Sequence, residues 1–215
     1  MYETVIFDLD GTIIDSAEGI INSFTYTFRK LGVPVPPRDG FGIFIGPPLL
    51  YSFENICGLG KEGAVRAVEI YREYFSEKGI YQNTVYGGIE NLLAELKKRG
   101  KTILLATSKY ELYALKILEN IGLSKYFSFI AGSEKDGGRG TKAEVISYVL
   151  EKTGAKKESA VMVGDRMHDT MGAREVGIDS IGALWGYGSE EELSSGGATH
   201  IARVPKEILE IVCGE

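Results

Sequence analysis

Asp8 and Asp10 stand two positions apart at the end of ETVIFDLD (residues 3–10), a short β-branched and aromatic run that stops at Gly11. A regular strand points residues i and i+2 to the same face, so the two carboxylates share one small space. Like charges that close raise one pKa sharply unless a divalent cation neutralises them, and hard oxygen ligands suit Mg2+. The pair therefore predicts a bound metal. A single aspartate before a turn is an ordinary turn residue, and that reading would suffice for Asp8 or Asp10 alone. It does not account for both together with Gly11 and Thr12.

Further groups of the same kind follow other apolar runs. KTILLATS (101–108) ends in Thr107 and Ser108, FSFIAGS (127–133) is followed by Lys142, and SAVMVGD (159–165) ends in Asp165. In doubly wound sheets, ligands collect beyond the carboxyl ends of the strands. Asp169 lies four residues after Asp165, one helical turn on. Four acids and one lysine compose a site for magnesium and a phosphate group. Lys135 competes with Lys142 for the lysine's place, and Lys109 could touch a substrate phosphate or carboxylate.

These residues need a scaffold that brings strand ends together. The runs at 3–10, 101–108, 127–133, 159–165 and 179–186 are short, apolar and closed by small or polar residues, the pattern of fully buried strands. Helical spacings lie between them: Ile89, Leu92, Leu93 and Leu96; Leu112, Leu115, Leu118 and Ile121; Val145, Ile146, Val149 and Leu150, each followed by a glycine. That alternation predicts an α/β fold, a doubly wound, mostly parallel sheet with helices on both faces. Residues 16–82 break it, with Ile20, Ile21, Phe24, Phe28 and Leu31 on one helical face and Val65, Val68, Tyr71, Tyr74 and Phe75 on another. Five of the six prolines fall in the turn-rich stretch 33–50 between these helices. The expected organisation is a core domain of 1–15 and 83–215 with a helical cap domain, 16–82, inserted after the first strand.

The formal charge of -6 provides no broad basic field, so a nucleic-acid partner is not expected. It also means that an anionic substrate needs a local cation. No stretch of 18 apolar residues and no basic-then-apolar leader occurs, which predicts a cytoplasmic protein without a membrane partner. Cys57 and Cys213 are far apart and read as two buried thiols. Gly58, Gly60 and Gly63 match a dinucleotide-loop spacing, but LLYSFENIC before them reads as helix, where that fingerprint requires a strand. His168 has no histidine or cysteine companion for zinc, and His200 falls in an edge strand.

FDLDGT (7–12), the strand-end Thr107, Lys142 and GDRMHD (164–169) together resemble the haloacid dehalogenase superfamily, with its four motifs in order. DSAEGI (15–20), IGPPL (45–49) and YGGI (86–89) are similar to its phosphoglycolate phosphatase and 5'-nucleotidase-like branch. The resemblance implies that Asp8 attacks phosphorus while Asp10 protonates the leaving oxygen and later activates water. It implies magnesium held by Asp8, the Asp10 carbonyl and Asp165, with Asp169 beside it. Gly11, Thr107, Ser108 and Lys142 would hold the phosphate. Ser108 stands where many relatives carry asparagine, and Lys142 lies in GTKAE rather than before a proline.

The activity implied is magnesium-dependent hydrolysis of a small phosphorylated metabolite, of the phosphoglycolate or nucleoside 5'-monophosphate type. A sugar phosphomutase of the same superfamily and a catalytically silent binding module are the alternatives. A dehalogenase would have no use for Asp10. Monomer and homodimer stay equally open.

Overall fold

The computed structural model describes residues 1–135 and 137–214. Six strands form one sheet: β1 (Thr4–Phe7), β4 (Thr102–Tyr110), β5 (Phe129–Ser133), β6 (Ala160–Gly164), β7 (Asp179–Ala183) and β8 (His200–Ala202), in the order β5-β4-β1-β6-β7-β8. Every neighbouring pair is parallel. β1 is central and wholly buried, so its apolar side chains alternate between two cores. Val5 and Phe7 join Ile103, Leu105, Val161 and Val163 on one face, under α4 (Ile89–Lys98), α5 (Glu111–Asn120) and α9 (Pro205–Cys213). Ile6 joins Leu104, Ala106 and Met162 on the other, under α6 (Lys142–Thr153) and α7 (Met167–Val176). Each fully buried Leu or Ile in these layers is worth about 1.5–3 kcal/mol. The short α8 (Glu190–Ser195) precedes the edge strand that carries His200.

The helical insert leaves and re-enters through a two-stranded antiparallel ribbon, β2 (Ile14–Asp15) with β3 (Thr84–Val85). It comprises α1 (Ala17–Leu31), a 3-10 stretch at Arg38–Phe44, the single turn α2 (Leu49–Tyr51) running into a π-turn at Ser52–Ile56, and α3 (Gly60–Glu77). Phe24 lies 4.7–5.8 Å, ring centre to ring centre, from Phe28, Phe44, Phe53 and Tyr71, so the insert has an aromatic core of its own. Gly19 of α1 abuts the Gly79 carbonyl, where a Cβ would come within 2.2 Å. A side chain there would push α1 off the turn that follows α3.

The structure corrects several expectations. The ribbon, at 14–15 and 84–85, is not among the expected strands, because two-residue strands carry no periodicity. β1 stops at Phe7, so Asp8 and Asp10 occupy the following turn; β4 runs on to Tyr110, and β7 stops at Ala183. Val65 and Leu112 are 52% and 53% exposed rather than inward, and α5 buries Ala114 and Ile117 along with the expected Leu118. Cys57 and Cys213 are half-buried, not buried. The doubly wound α/β sheet with helices on both faces is as expected, and its six strands are all parallel.

Candidate active site

The turn after β1 is built on one carbonyl: Leu9 O accepts from the amides of Thr12, Ile13 and Ile14, while the Asp8 amide donates to Val163 O of β6 at 2.9 Å. Gly11 allows the turn, with φ +81 and no room for a side chain, since a Cβ would lie 2.1 Å from Asp165 Oδ2. Its amide donates to Ile14 O at 2.8 Å. Gly11 is therefore not free to donate to a phosphate, as the sequence suggested, and its contribution is steric. Gly11→Ala is expected to destabilise by at least about 2 kcal/mol, from the left-handed backbone and the collision with Asp165. A denaturant midpoint equal to that of the parent protein would contradict it.

Asp165 follows β6, and Asp169 lies in the first turn of α7. Ligand oxygens of Asp8, Asp165 and Asp169 all lie within 4.8 Å of one another, and all three residues are buried. Asp165 accepts from Thr12 Oγ1 at 3.1 Å and from the Tyr187 amide at 2.8 Å, and Asp169 Oδ2 accepts from the Arg166 amide at 3.1 Å.

Lys142 begins α6, where Thr141 caps the helix through a reciprocal box with Glu144. Its ammonium lies 2.8 Å from Oδ1 of both Asp8 and Asp169 and donates to Ala106 O at 3.1 Å. The side chain is 4% exposed. Burial alone would lower its pKa, but Asp169 and then Asp8 override burial and hold it charged. Lys135 is exposed, so Lys142 is the lysine brought to the acids.

One ammonium against three carboxylates leaves a negative surplus in a dry place. Burial, opposed by Lys142 and reinforced by Asp169, pushes the Asp8 carboxyl up to about 6, and burial followed by Asp169 pushes Asp165 well above the ordinary range. Oδ1 of Asp8 and of Asp169 both face the one Lys142 ammonium at 2.8 Å. An all-oxygen set of three buried carboxylates beside a single ammonium fits a hard metal ion.

Asp8 has a folded pKa near 6 against 3.8 for the ordinary group, so its protonated form contributes stability below about pH 4 that is lost as pH rises through 6. In chelator, the melting temperature is expected to fall between pH 5 and 7 on this account, and millimolar magnesium to restore it at pH 7. A melting temperature at pH 7 that magnesium does not move would contradict the fit.

The structure places Asp10 differently from the other acids. Its carboxylate pairs with Lys109 Nζ at 2.7 Å, both side chains nearly buried. In the metal set read from the sequence, Asp10 could therefore contribute only its backbone carbonyl. Lys109 is held 4.8 Å from the Phe75 ring centre, so the insert touches the cation that binds Asp10. Thr107 is buried and its hydroxyl accepts from the Lys109 amide at 3.3 Å; Ser108 lines the cavity. His168 is half-buried at the cavity wall.

That cavity, about 1140 Å³, lies between Asp8, Asp10, Thr107, Lys109 and Lys142 on the sheet side and Phe24, Leu49, Tyr51, Tyr71, Arg72 and Phe75 on the insert. Two contacts that local sequence did not signal tie the insert to the rest of the molecule. Arg72 of α3 donates from both terminal nitrogens to Lys135 O at 3.2 Å, and Arg166, paired with Glu192 at 2.8 Å, donates to Ile45 O. A buried acid trio with one lysine, under a lid of aromatic side chains, can hold a metal ion and an anionic group and keep water from both.

Comparison with known proteins agrees with this arrangement. A family model described as haloacid dehalogenase-like hydrolase matches residues 5–183. A 5'-nucleotidase of Pseudomonas aeruginosa is 42% identical over 199 residues, 93% of this chain and 90% of its own. Tyrosine-protein kinase PtkA of Mycobacterium tuberculosis is 40% identical over 205 residues, 94% of this chain and 70% of its own. A crystal structure from Clostridium acetobutylicum, described as a predicted phosphatase, superposes with a TM-score of 0.97 at 41% identity and covers 100% of both chains.

Proposed function

The chain belongs to the haloacid dehalogenase-like hydrolase family as an enzyme of the phosphatase type, and on that premise we propose that it is a magnesium-dependent phosphomonoesterase with Asp8 as nucleophile. The observation that supports this most is the buried contact of Lys142 with Asp8 and Asp169 on the cavity floor. A magnesium ion held by Asp8, Asp165, Asp169 and the Asp10 carbonyl would neutralise the surplus carboxylate charge and draw electron density from the phosphoryl oxygens.

The chain's own residues do the rest. A carboxylate oxygen of Asp8 forms the new P–O bond while the ester P–O bond breaks, and Asp10 gives its proton to the departing oxygen. A water molecule then attacks phosphorus, surrenders a proton to Asp10 and releases phosphate, restoring Asp8. Thr107, the Ser108 amide and Lys142 hold the equatorial oxygens, over which the loose transition state spreads its charge. The aromatic lid excludes bulk water from the acyl phosphate.

The cavity favours a nucleoside 5'-monophosphate over phosphoglycolate. Its volume far exceeds a two-carbon acid, and beyond the catalytic groups its wall carries Glu54, Glu69, Glu134 and Glu175 against Arg72 and Lys135. A leaving group with its own carboxylate meets net repulsion there. The Pseudomonas relative's name agrees. Nucleoside 5'-monophosphates are expected to show kcat/KM at least about tenfold above phosphoglycolate, about 1.4 kcal/mol of discrimination. The opposite order would overturn the substrate assignment. Return of phosphate to its own sugar, without release, would identify a mutase, and no turnover of any ester a silent module. We place the activity in the cytoplasm, on a free metabolite rather than nucleic acid or membrane; the charge of -6 supports this, and among the described residues no helix is long and apolar enough to cross a membrane.

A further inference from the structure

Segment 184–188, after β7, touches two places at once. Its backbone wraps Asp165: the Tyr187 amide donates to Asp165 Oδ2 at 2.8 Å, and a Cβ on Gly186 would come 2.5 Å from the same oxygen. Its side chains reach the start of the insert. Trp185 Nε1 donates to Thr12 O at 3.0 Å. The Tyr187 hydroxyl accepts from the amides of Ser16 and Ala17 at 2.9 and 3.0 Å and donates to Asp15 Oδ1 at 2.7 Å.

Those amides open α1, and Ser16, at the N-cap position, makes no side-chain capping bond. The phenol oxygen, 170 residues away in sequence, takes the Ser16 amide and shares the Ala17 amide with Asp15 Oδ1, which accepts from it at 3.0 Å, and so supplies capping that Ser16 does not. A phenol oxygen donates one hydrogen bond and accepts two, so the three bonds coexist. Asp15 and Ser16 form one of the two connections that carry the insert; the other leads through β3, paired to Asp15 at Thr84.

We infer that Tyr187 is a positioning residue that ties the orientation of the insert to the acid Asp165, with its backbone on the acid and its hydroxyl on the connection into α1. This rests on the phosphatase reading for its kinetic consequence, but not for its structural one. Rotation of the insert about β2 and β3 must break three hydrogen bonds or carry segment 184–188 along, and that segment cannot move without disturbing Asp165. An insert that drifts loses grip on the leaving group, whereas a substrate too small to reach it is indifferent.

Tyr187→Phe removes the hydroxyl and keeps the amide that holds Asp165. Exchange of the Ser16 amide is expected to accelerate about tenfold, and that of Ala17, which keeps Asp15 Oδ1, less. Magnesium affinity, read by the magnesium-induced rise in melting temperature, is expected to stay within about twofold. With a nucleoside 5'-monophosphate kcat/KM is expected to fall about tenfold, and with acetyl phosphate less than about twofold. Asp15→Asn weakens the same contact from the other side and is expected to give the same pattern, which keeps the test decisive if one variant folds poorly. Unchanged amide exchange in both variants would overturn the inference, as would a parallel loss of magnesium affinity or an equal loss on both substrates. Accelerated exchange with no turnover of either substrate by the parent protein would sustain the tie and sink the phosphatase reading instead.

Discussion

Asp8→Asn is expected to lower turnover of every phosphate ester by at least about 10⁴-fold while leaving the protein folded. The amide keeps the shape of the carboxyl but has no nucleophilic oxygen, and removal of a nucleophile from a catalytic unit costs on this scale. The same change carries a prediction of opposite sign for stability. Burial and the adjacent Asp169 raise the Asp8 carboxyl to about 6, so near neutrality its ionised form is less favourable in the folded protein than in the unfolded chain. In chelator at pH 7, Asp8→Asn is expected to stabilise by about 1–3 kcal/mol. Steady-state kinetics and denaturant unfolding read the two effects separately. A variant that retains a tenth of parental turnover removes Asp8 as the nucleophile.

Lys142→Met produces the second large effect. The ammonium is 4% exposed and is the cation between Asp8 and Asp169, so its removal leaves buried carboxylates facing one another. Breaking a buried pair from one side costs about 3–5 kcal/mol. Loss of a fixed charge from the position where phosphoryl charge develops costs about 10²–10³ in turnover. The stability penalty depends on pH with a definite sign. Without Lys142 the folded pKa of Asp8 rises further above its unfolded value, so the folded protein binds more protons and the penalty shrinks as pH falls through 6. Denaturant unfolding in chelator at pH 5 and pH 7 is expected to show a smaller loss at pH 5. Equal losses would mean that Lys142 does not act on these carboxyls.

The parts of this molecule that sequence alone exposes are those whose physics is local. β1, β4 and β6 are runs of apolar residues because the central strands of a parallel sheet are buried on both faces, though the ends of β1 and β4 fall two or three residues from where the runs suggest. Asp8, Thr107, Asp165 and Asp169 stand out for the same reason. Lys142 required more: only the fold shows that α6 carries its first residue under β4, where Ala106 O accepts from it, while Lys135 stays on the surface.

Longer-range features left no local trace. Val65 and Leu112 fit a helical stripe yet point outward, since a period fixes a face but not its edges. The Lys109–Asp10 pair spans 99 residues, and the phenol that caps α1 sits 170 residues from its partner. Gly11 shows the limit from the other side. A glycine after paired acids reads as a phosphate cradle, but its amide is committed to Ile14 O, and what the site needs from it is an absent side chain.

Phosphoryl trapping tests the central claim most directly. The protein is mixed with magnesium and a reactive ester such as acetyl phosphate, quenched in acid within the first turnover and digested, and its peptides are weighed. The account predicts one phosphoryl group on the peptide that contains Asp8, lost on treatment with hydroxylamine and absent from Asp8→Asn. A phosphoryl group on any other residue, or multiple turnovers with none on the enzyme at any time, would contradict it.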